Sequence, residues 1–265
     1  MNGPDLLMPA PVRAAPLAEM RNHTTFESQY FQMMDTDDEV FHVIASRVTY
    51  DLNRLDEHGI PQLAARQGPL LDADQFYGDS TTSSCIQESD FAPYKPKCDI
   101  LLVNATAYAP ESKPHRRWPV GLRIGEWQKT LVVTGPRYID FGFLGWKVVE
   151  PEKTIEVPLR WELAYGGTCQ WPMHPQNGQD PEIWVPYEAN PLGRGWVDKA
   201  WLKKSQVADV DAPQIEVFNK PFRTEDANAM RYPAIGLGPV GKWWTPRRHT
   251  SGTYDPAWTE SRWPR

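Results

Sequence analysis

Residues 155–167 read IEVPLRWELAYGG, and this stretch decides how the rest of the chain is read. Ile155, Val157, Leu159, Trp161, Leu163 and Tyr165 fall on one parity; Glu156, Arg160 and Glu162 fall on the other. Successive side chains of a strand point to opposite faces, so the alternation predicts a half-buried strand with one wet face. Pro158 has no amide hydrogen and sits on the wet parity, which places the strand at an edge or a bulge. Gly166 and Gly167 end it.

Working outward, the same grammar recurs. Residues 40–50 (VFHVIASRVTY) are β-branched and aromatic, as strands prefer. The polar run DLNRLDEHGI follows and reads as a loop with Gly59 placed for a turn. Residues 99–108 (DILLVNATAY) are mostly apolar and read as a strand buried on both faces. VGLRIG and KTLVVTG, joined by the short EWQ link, read as a hairpin. Residues 168–195 hold many Pro, Asn and Gly and read as a long irregular segment. WVDKAWLKKSQ, residues 196–206, is the best helix candidate, and QIEVF, residues 214–218, is a last short strand.

The composition agrees. The 265 residues include 26 Pro and 12 Trp, and proline at that level excludes long helices. The expected fold is mainly β, with sandwich-like antiparallel sheets, long Pro/Gly-rich loops and little helix. Residues 1–24 read as a flexible leader, and residues 25–265 as one β domain with a sub-boundary near 168–195.

Net charge excludes some function classes. At −6 the chain repels phosphate backbones at long range, which disfavours nucleic acid as a partner. No stretch approaches the ~18 apolar residues of a membrane span, and residues 1–20 lack the basic start and apolar run of a signal peptide. Cys85, Cys98 and Cys169 are too few and too scattered for a disulfide framework. Together these place the protein in the cytoplasm, away from membranes.

Motifs for chemistry are weak. Residues 236–242 (GLGPVGK) match two phosphate-binding patterns at once, but both need the glycines to open a helix. Here Trp243 replaces the magnesium-binding hydroxyl and Pro246 ends any helix, so a turn-rich loop is expected. Cys169 and His174 lie close, but structural zinc needs four ligands. Asp35, Asp37, Asp38 and Glu39 lack the glycine turn and distal Glu of a calcium loop. Glu156 and Glu162 are six residues apart on one strand face, too far to share one bond, and no G-x-S-x-G elbow exists. No cofactor or metal is implied. Loop tryptophans either cover a sheet or anchor a partner, and Trp243, Trp244 and Trp258 in the Pro-rich tail are the candidate partner-binding residues.

Several segments in series carry a resemblance. They include Asp72-Ala-Asp74-Gln-Phe-Tyr77-Gly-Asp79, Lys95-Pro96-Lys-Cys-Asp99 and Val133-Thr-Gly135-Pro-Arg137. Further on come Ala164-Tyr165-Gly166-Gly167, Asn190-Pro-Leu-Gly193-Arg-Gly195, Trp244-Thr-Pro-Arg247 and Gly252-Thr-Tyr254-Asp255-Pro-Ala-Trp258. In this order and spacing, over residues 30 to 263, the chain resembles the domain-of-unknown-function family 2169. The resemblance implies a non-enzymatic chaperone or adaptor of bacterial type VI secretion. Such a protein binds an effector and helps load it onto the spike, made of the valine-glycine-repeat protein (VgrG) and its PAAR-type tip. No catalytic residues are carried over. The alternative is a hydrolase or carbohydrate-binding module whose site is assembled from distant Trp and Asp/Glu residues.

Overall fold

The hairpin expected near residues 120–135 is the centre of the larger sheet. Arg117–Ile124 pairs antiparallel with Trp127–Thr134, Trp118 opposite Val133 and Val120 opposite Leu131, and Ile215–Val217 joins the other side of Trp127–Thr134. The central strand is therefore paired on both edges. Its Leu131, Val132, Val133 and Thr134 are all buried, as a β-branched apolar run requires. Pro119 is tolerated because Arg117–Ile124 is an edge strand of that sheet.

The computed structural model describes residues 19–34, 40–80, 82–91, 104–124, 127–143, 145–170, 184–205, 207–228 and 231–239. The fold is mainly β, built from many small and mostly antiparallel sheets, as the composition predicts. Lys199–Ser205, inside the segment read as helix, is the one α-helix among the described residues. The chain divides into two units, Met1–Leu70 and Leu71–Arg265.

In the first unit, Ser28–Met34 pairs with Val40–Ser46 and Tyr50–Leu55 pairs with Pro61–Leu63. Much of the run read as a polar loop is thus strand, because its polar side chains need no burial on a two-stranded ribbon. The turn at Gly59 forms as expected, with Gly59 at φ +76° and the Asp56 carboxylate accepting the His58 and Ile60 amides. Polar bonds hold this unit together. Gln67 donates to the carbonyls of Thr49 and Ala64 and accepts the Thr49 amide. Arg47 donates to Pro69 O, and Glu27 accepts the Leu70 amide.

In the second unit, the stretch 155–165 departs from a single strand. Glu156–Pro158 pairs with Thr106–Tyr108, the chain then takes a 3-10 turn at Trp161–Leu163, and Tyr165–Gly166 pairs in parallel with Arg194–Gly195. The alternation nonetheless marks burial at Val157, Leu159, Trp161 and Tyr165, while Ile155 is exposed. The turn shifts the parity, so Ala164 is also fully buried. Of residues 99–108, only the end lies among the described residues, as the strand Thr106–Tyr108. The two described ends of the segment 168–195 are ordered: Thr168–Gln170 pairs with Trp184–Pro186.

Two cores meet at this stretch. Ala164 belongs to the first, with Trp118, Leu131, Val133, Val157, Leu159, Trp161 and Ile215. Tyr165 belongs to the second, with Ile139, Tyr187, Trp196, Phe222 and Tyr232. Residues 190–195 close the junction. The buried Asn190 amide donates to the carbonyls of Trp161 (2.9 Å) and Tyr165 (3.0 Å). Its backbone carbonyl accepts the amides of Gly167 and Gly193, and Arg194 N donates to Ala164 O. So close an approach leaves no room for side chains. A Cβ on Gly166, at φ +147°, would lie 2.0 Å from Asn190 O, and one on Gly193 would lie 2.6 Å from Ala164 O.

Two substitutions test this junction by urea denaturation followed by tryptophan fluorescence. Gly166→Ala loses about 3 kcal/mol or more, from backbone strain and a clash with main chain that cannot move aside. Asn190→Ala loses about 1–3 kcal/mol, because Tyr165 O loses its side-chain donor and Trp161 O keeps only the Ala164 amide, and Asn190→Asp loses more, because a carboxylate would then face these carbonyls.

Candidate functional site

Trp243, Trp244 and Trp258, the partner-binding residues suggested by the tail, lie outside the described residues, as do Asp35 to Glu39, Cys98, His174 and Gly241-Lys242. The described part of the phosphate-like motif is a packing element. Gly236 lies against the Trp161 ring, Trp161 Nε1 donates to Gly238 O (2.9 Å), Lys129 Nζ donates to Gly236 O (2.6 Å), and Leu237 is buried. Over residues 236–239 the chain is irregular and not helical, with the glycine carbonyls engaged by the domain itself.

The acid–base candidates separate. Glu156 is exposed on its strand, whereas Glu162 lies in the 3-10 turn. There the Glu162 carboxylate accepts the amide and hydroxyl of the buried Ser84, at 2.7–2.8 Å. A hydroxyl bonded to both carboxylate oxygens ties two loops together. Cys169 is buried, and desolvation pushes its thiol up despite the Asp198 amide bonded to it, so it is held as the neutral thiol. Among the described residues, no three His, Cys, Asp or Glu side chains converge as metal ligands.

Charge is buried at Glu216. This side chain is wholly inaccessible, and its oxygens accept from Arg117 Nε (3.1 Å) and Nη2 (3.0 Å), Arg137 Nη2 (2.6 Å) and the Phe222 amide (2.8 Å). Arg137 also donates to Pro213 O. Every lone pair is occupied, so the carboxylate has no capacity left for a substrate, and its role is to clamp three segments. Beside it, the Tyr232 hydroxyl donates to Lys220 O and accepts the Val217 amide, and the Tyr165 hydroxyl donates to Asp226 O. Burial pushes both phenols far above their ordinary 10.0, with smaller contributions from Tyr187 at Tyr165 and from Glu216 at Tyr232.

The closest-spaced exposed apolar side chains among the described residues are in the first unit. Val40, Ile44, Tyr50, Leu52, Leu55, Ile60 and Leu63 are exposed by 46–74%. Among the residues of that unit whose exposure is described, none is buried, and the first buried residue so described is Ser84. Ile44 stands opposite Tyr30, with Val40 on the same face of its strand, and Tyr50 stands opposite Leu63. The Tyr30 hydroxyl bonds His42 Nδ1 (2.5 Å), and the two rings stack. Reading by sequence missed this surface because VFHVIAS looks like any core strand. The available signal was that both parities of residues 40–44 carry apolar side chains, unlike the alternation of a strand with one buried face.

Two measurements check the buried charges. Glu216→Gln loses about 3–5 kcal/mol, because Arg137, with its side chain 7% exposed, is left unpaired. Arg117→Ala loses less than half of that, since Arg117 is 44% exposed. For the phenols, the unfolded chain ionises near pH 10 while the folded chain keeps its protons. Stability is therefore complete below about pH 10 and falls as pH rises above it. In an alkaline titration followed by tyrosinate absorbance, Tyr165 and Tyr232 ionise only together with unfolding.

Comparison with known proteins places these features in a family. No curated protein and no solved structure matches the chain. A family model described as "Uncharacterized protein conserved in bacteria (DUF2169)" matches residues 37–265. That match takes in both glycine-bearing motifs that meet at Asn190 and the Arg137 that clamps Glu216, and the chain belongs to the DUF2169 family.

Proposed function

We propose that this protein is a non-enzymatic adaptor of bacterial type VI secretion. It binds an effector in the cytoplasm and helps load it onto the spike protein VgrG or the PAAR-type tip. Family membership supports the reading, as does the run of motifs that resembles these adaptors. The observation that carries it is the seven exposed large apolar side chains in residues 40–63. An apolar surface of that density marks a protein-interaction site.

The second unit suits the task physically. Its densely bonded junction and clamped carboxylate make a stable support, and stable supports commonly carry mobile or adhesive binding elements. Its polar clusters are engaged with the domain's own side chains and backbone, as described for Glu162, Glu216 and the tyrosines. No cofactor enters this reading.

Coexpression of the chain with the effector and spike proteins encoded beside it, followed by size-exclusion chromatography, tests the proposal. The expected result is co-elution with at least one of them and a larger soluble fraction of the effector when the adaptor is present. Separate elution from every such neighbour, with no gain in solubility, would refute it.

A further inference from the structure

We infer that the strand Val40–Ser46 takes an extended, basic and apolar polypeptide segment as an added strand on its open edge. The inference rests on the adaptor reading and names the chemistry of what is bound. Three observations lead to it.

The first is the edge. Ser28–Met34 and Val40–Ser46 form a two-stranded sheet, so one side of Val40–Ser46 has no strand partner among the described residues. A row of unpaired amides and carbonyls is a template for another strand. Proteins that keep such an edge free place Lys, Pro or a bulge on it. This strand reads VFHVIAS, without charge and without proline, and its seven residues pair in unbroken register with the neighbour.

The second is the face. Val40 is 57% and Ile44 64% exposed, on the same side of the strand. An added strand would set alternate side chains beside them. The third is charge. Residues 27–63 contain eight Asp or Glu and only Arg47 and Arg54 as bases, so the whole formal net charge of −6 is concentrated there. This decides between occupants. A second copy of the chain would bring like charge against like, whereas a segment bearing Lys or Arg is drawn in and held.

The test uses the full chain and fluorescein-labelled dodecapeptides read by fluorescence anisotropy. An alternating Lys–Val peptide is expected to bind ~10-fold or more tightly than a Glu–Val peptide, a Lys–Ser peptide or a Lys–Val peptide interrupted by two prolines. Ile44→Lys is expected to weaken that binding by a similar factor. Ile44→Thr keeps the β-branched shape and is expected to weaken it less, and Phe143→Lys, at an exposed apolar residue of the second unit, leaves it unchanged.

Equal binding of the Lys–Ser peptide would reduce the effect to charge alone and overturn the inference. So would equal binding of the proline-bearing peptide, indifference to both Ile44 substitutions, or a dimer in light scattering that Ile44→Lys dissolves. The two readings remain separable. If Ile44→Lys still co-elutes with an effector or spike protein, the strand is wrong and the adaptor stands. If the unaltered chain co-elutes with none, the adaptor reading itself fails.

Discussion

Ala164 and Tyr165 are neighbours that face different cores, and the amide of Asn190 holds the backbone where they part. Bonds from one side chain to Trp161 O and Tyr165 O fix the chain on both sides of this division. The parallel pairing of Tyr165–Gly166 with Arg194–Gly195 follows from that contact, and so does the requirement for glycine where the two backbones touch. From here the first core spreads under Trp127–Thr134 and the second under the tyrosines. The Glu216 clamp then ties Ile215–Val217 to Arg117 and Arg137. A small-sheet protein has few long ladders to give it cooperativity. In this one, side-chain bonds to the main chain do that work.

The sequence was legible where local pattern and tertiary environment agree. The hairpin, the helix at Lys199–Ser205, the strand at Ile215–Val217 and the turn at Gly59 were all readable from apolar runs and turn residues. Residues 155–165 were half legible. Alternation reported burial at Val157, Leu159, Trp161 and Tyr165, but it could not report the 3-10 turn that buries Ala164 as well. The glycine-bearing motifs could be recognised as a family signature, yet their purpose is a close approach between segments more than twenty residues apart. Glu216 was the least legible. Its partners lie 79 and 99 residues away, and a lone Glu in a short strand reads as solvent-facing.

The same physics explains why the exposed surface escaped notice. VFHVIAS has the composition of a core strand, and composition reports what a segment prefers to bury, not whether anything is there to bury it. Residues 27–63 are acidic in sum, the strand Val40–Ser46 is apolar, and the bonds that hold the hairpins come from Gln67, Thr49, Arg47 and Glu27. Such a unit has order from polar contacts and leaves its apolar side chains available. In the second unit two cores bury apolar side chains and polar clamps tie the segments together, while exposed apolar residues such as Tyr108, Phe143 and Trp184 are spread along the chain. A division of labour between support and adhesive surface suits a protein whose product is a complex.

Hydrogen exchange of the isolated chain, resolved by peptide, tests that division most directly. The account predicts that amides of residues 131–134, 164–167 and 215–217 exchange only through global unfolding, while those of residues 28–34 and 40–63 exchange far faster, through local opening. Equal protection of Val40–Ser46 and Trp127–Thr134 would contradict it, because the first unit would then be as deeply stabilised as the cores around Ala164 and Tyr165.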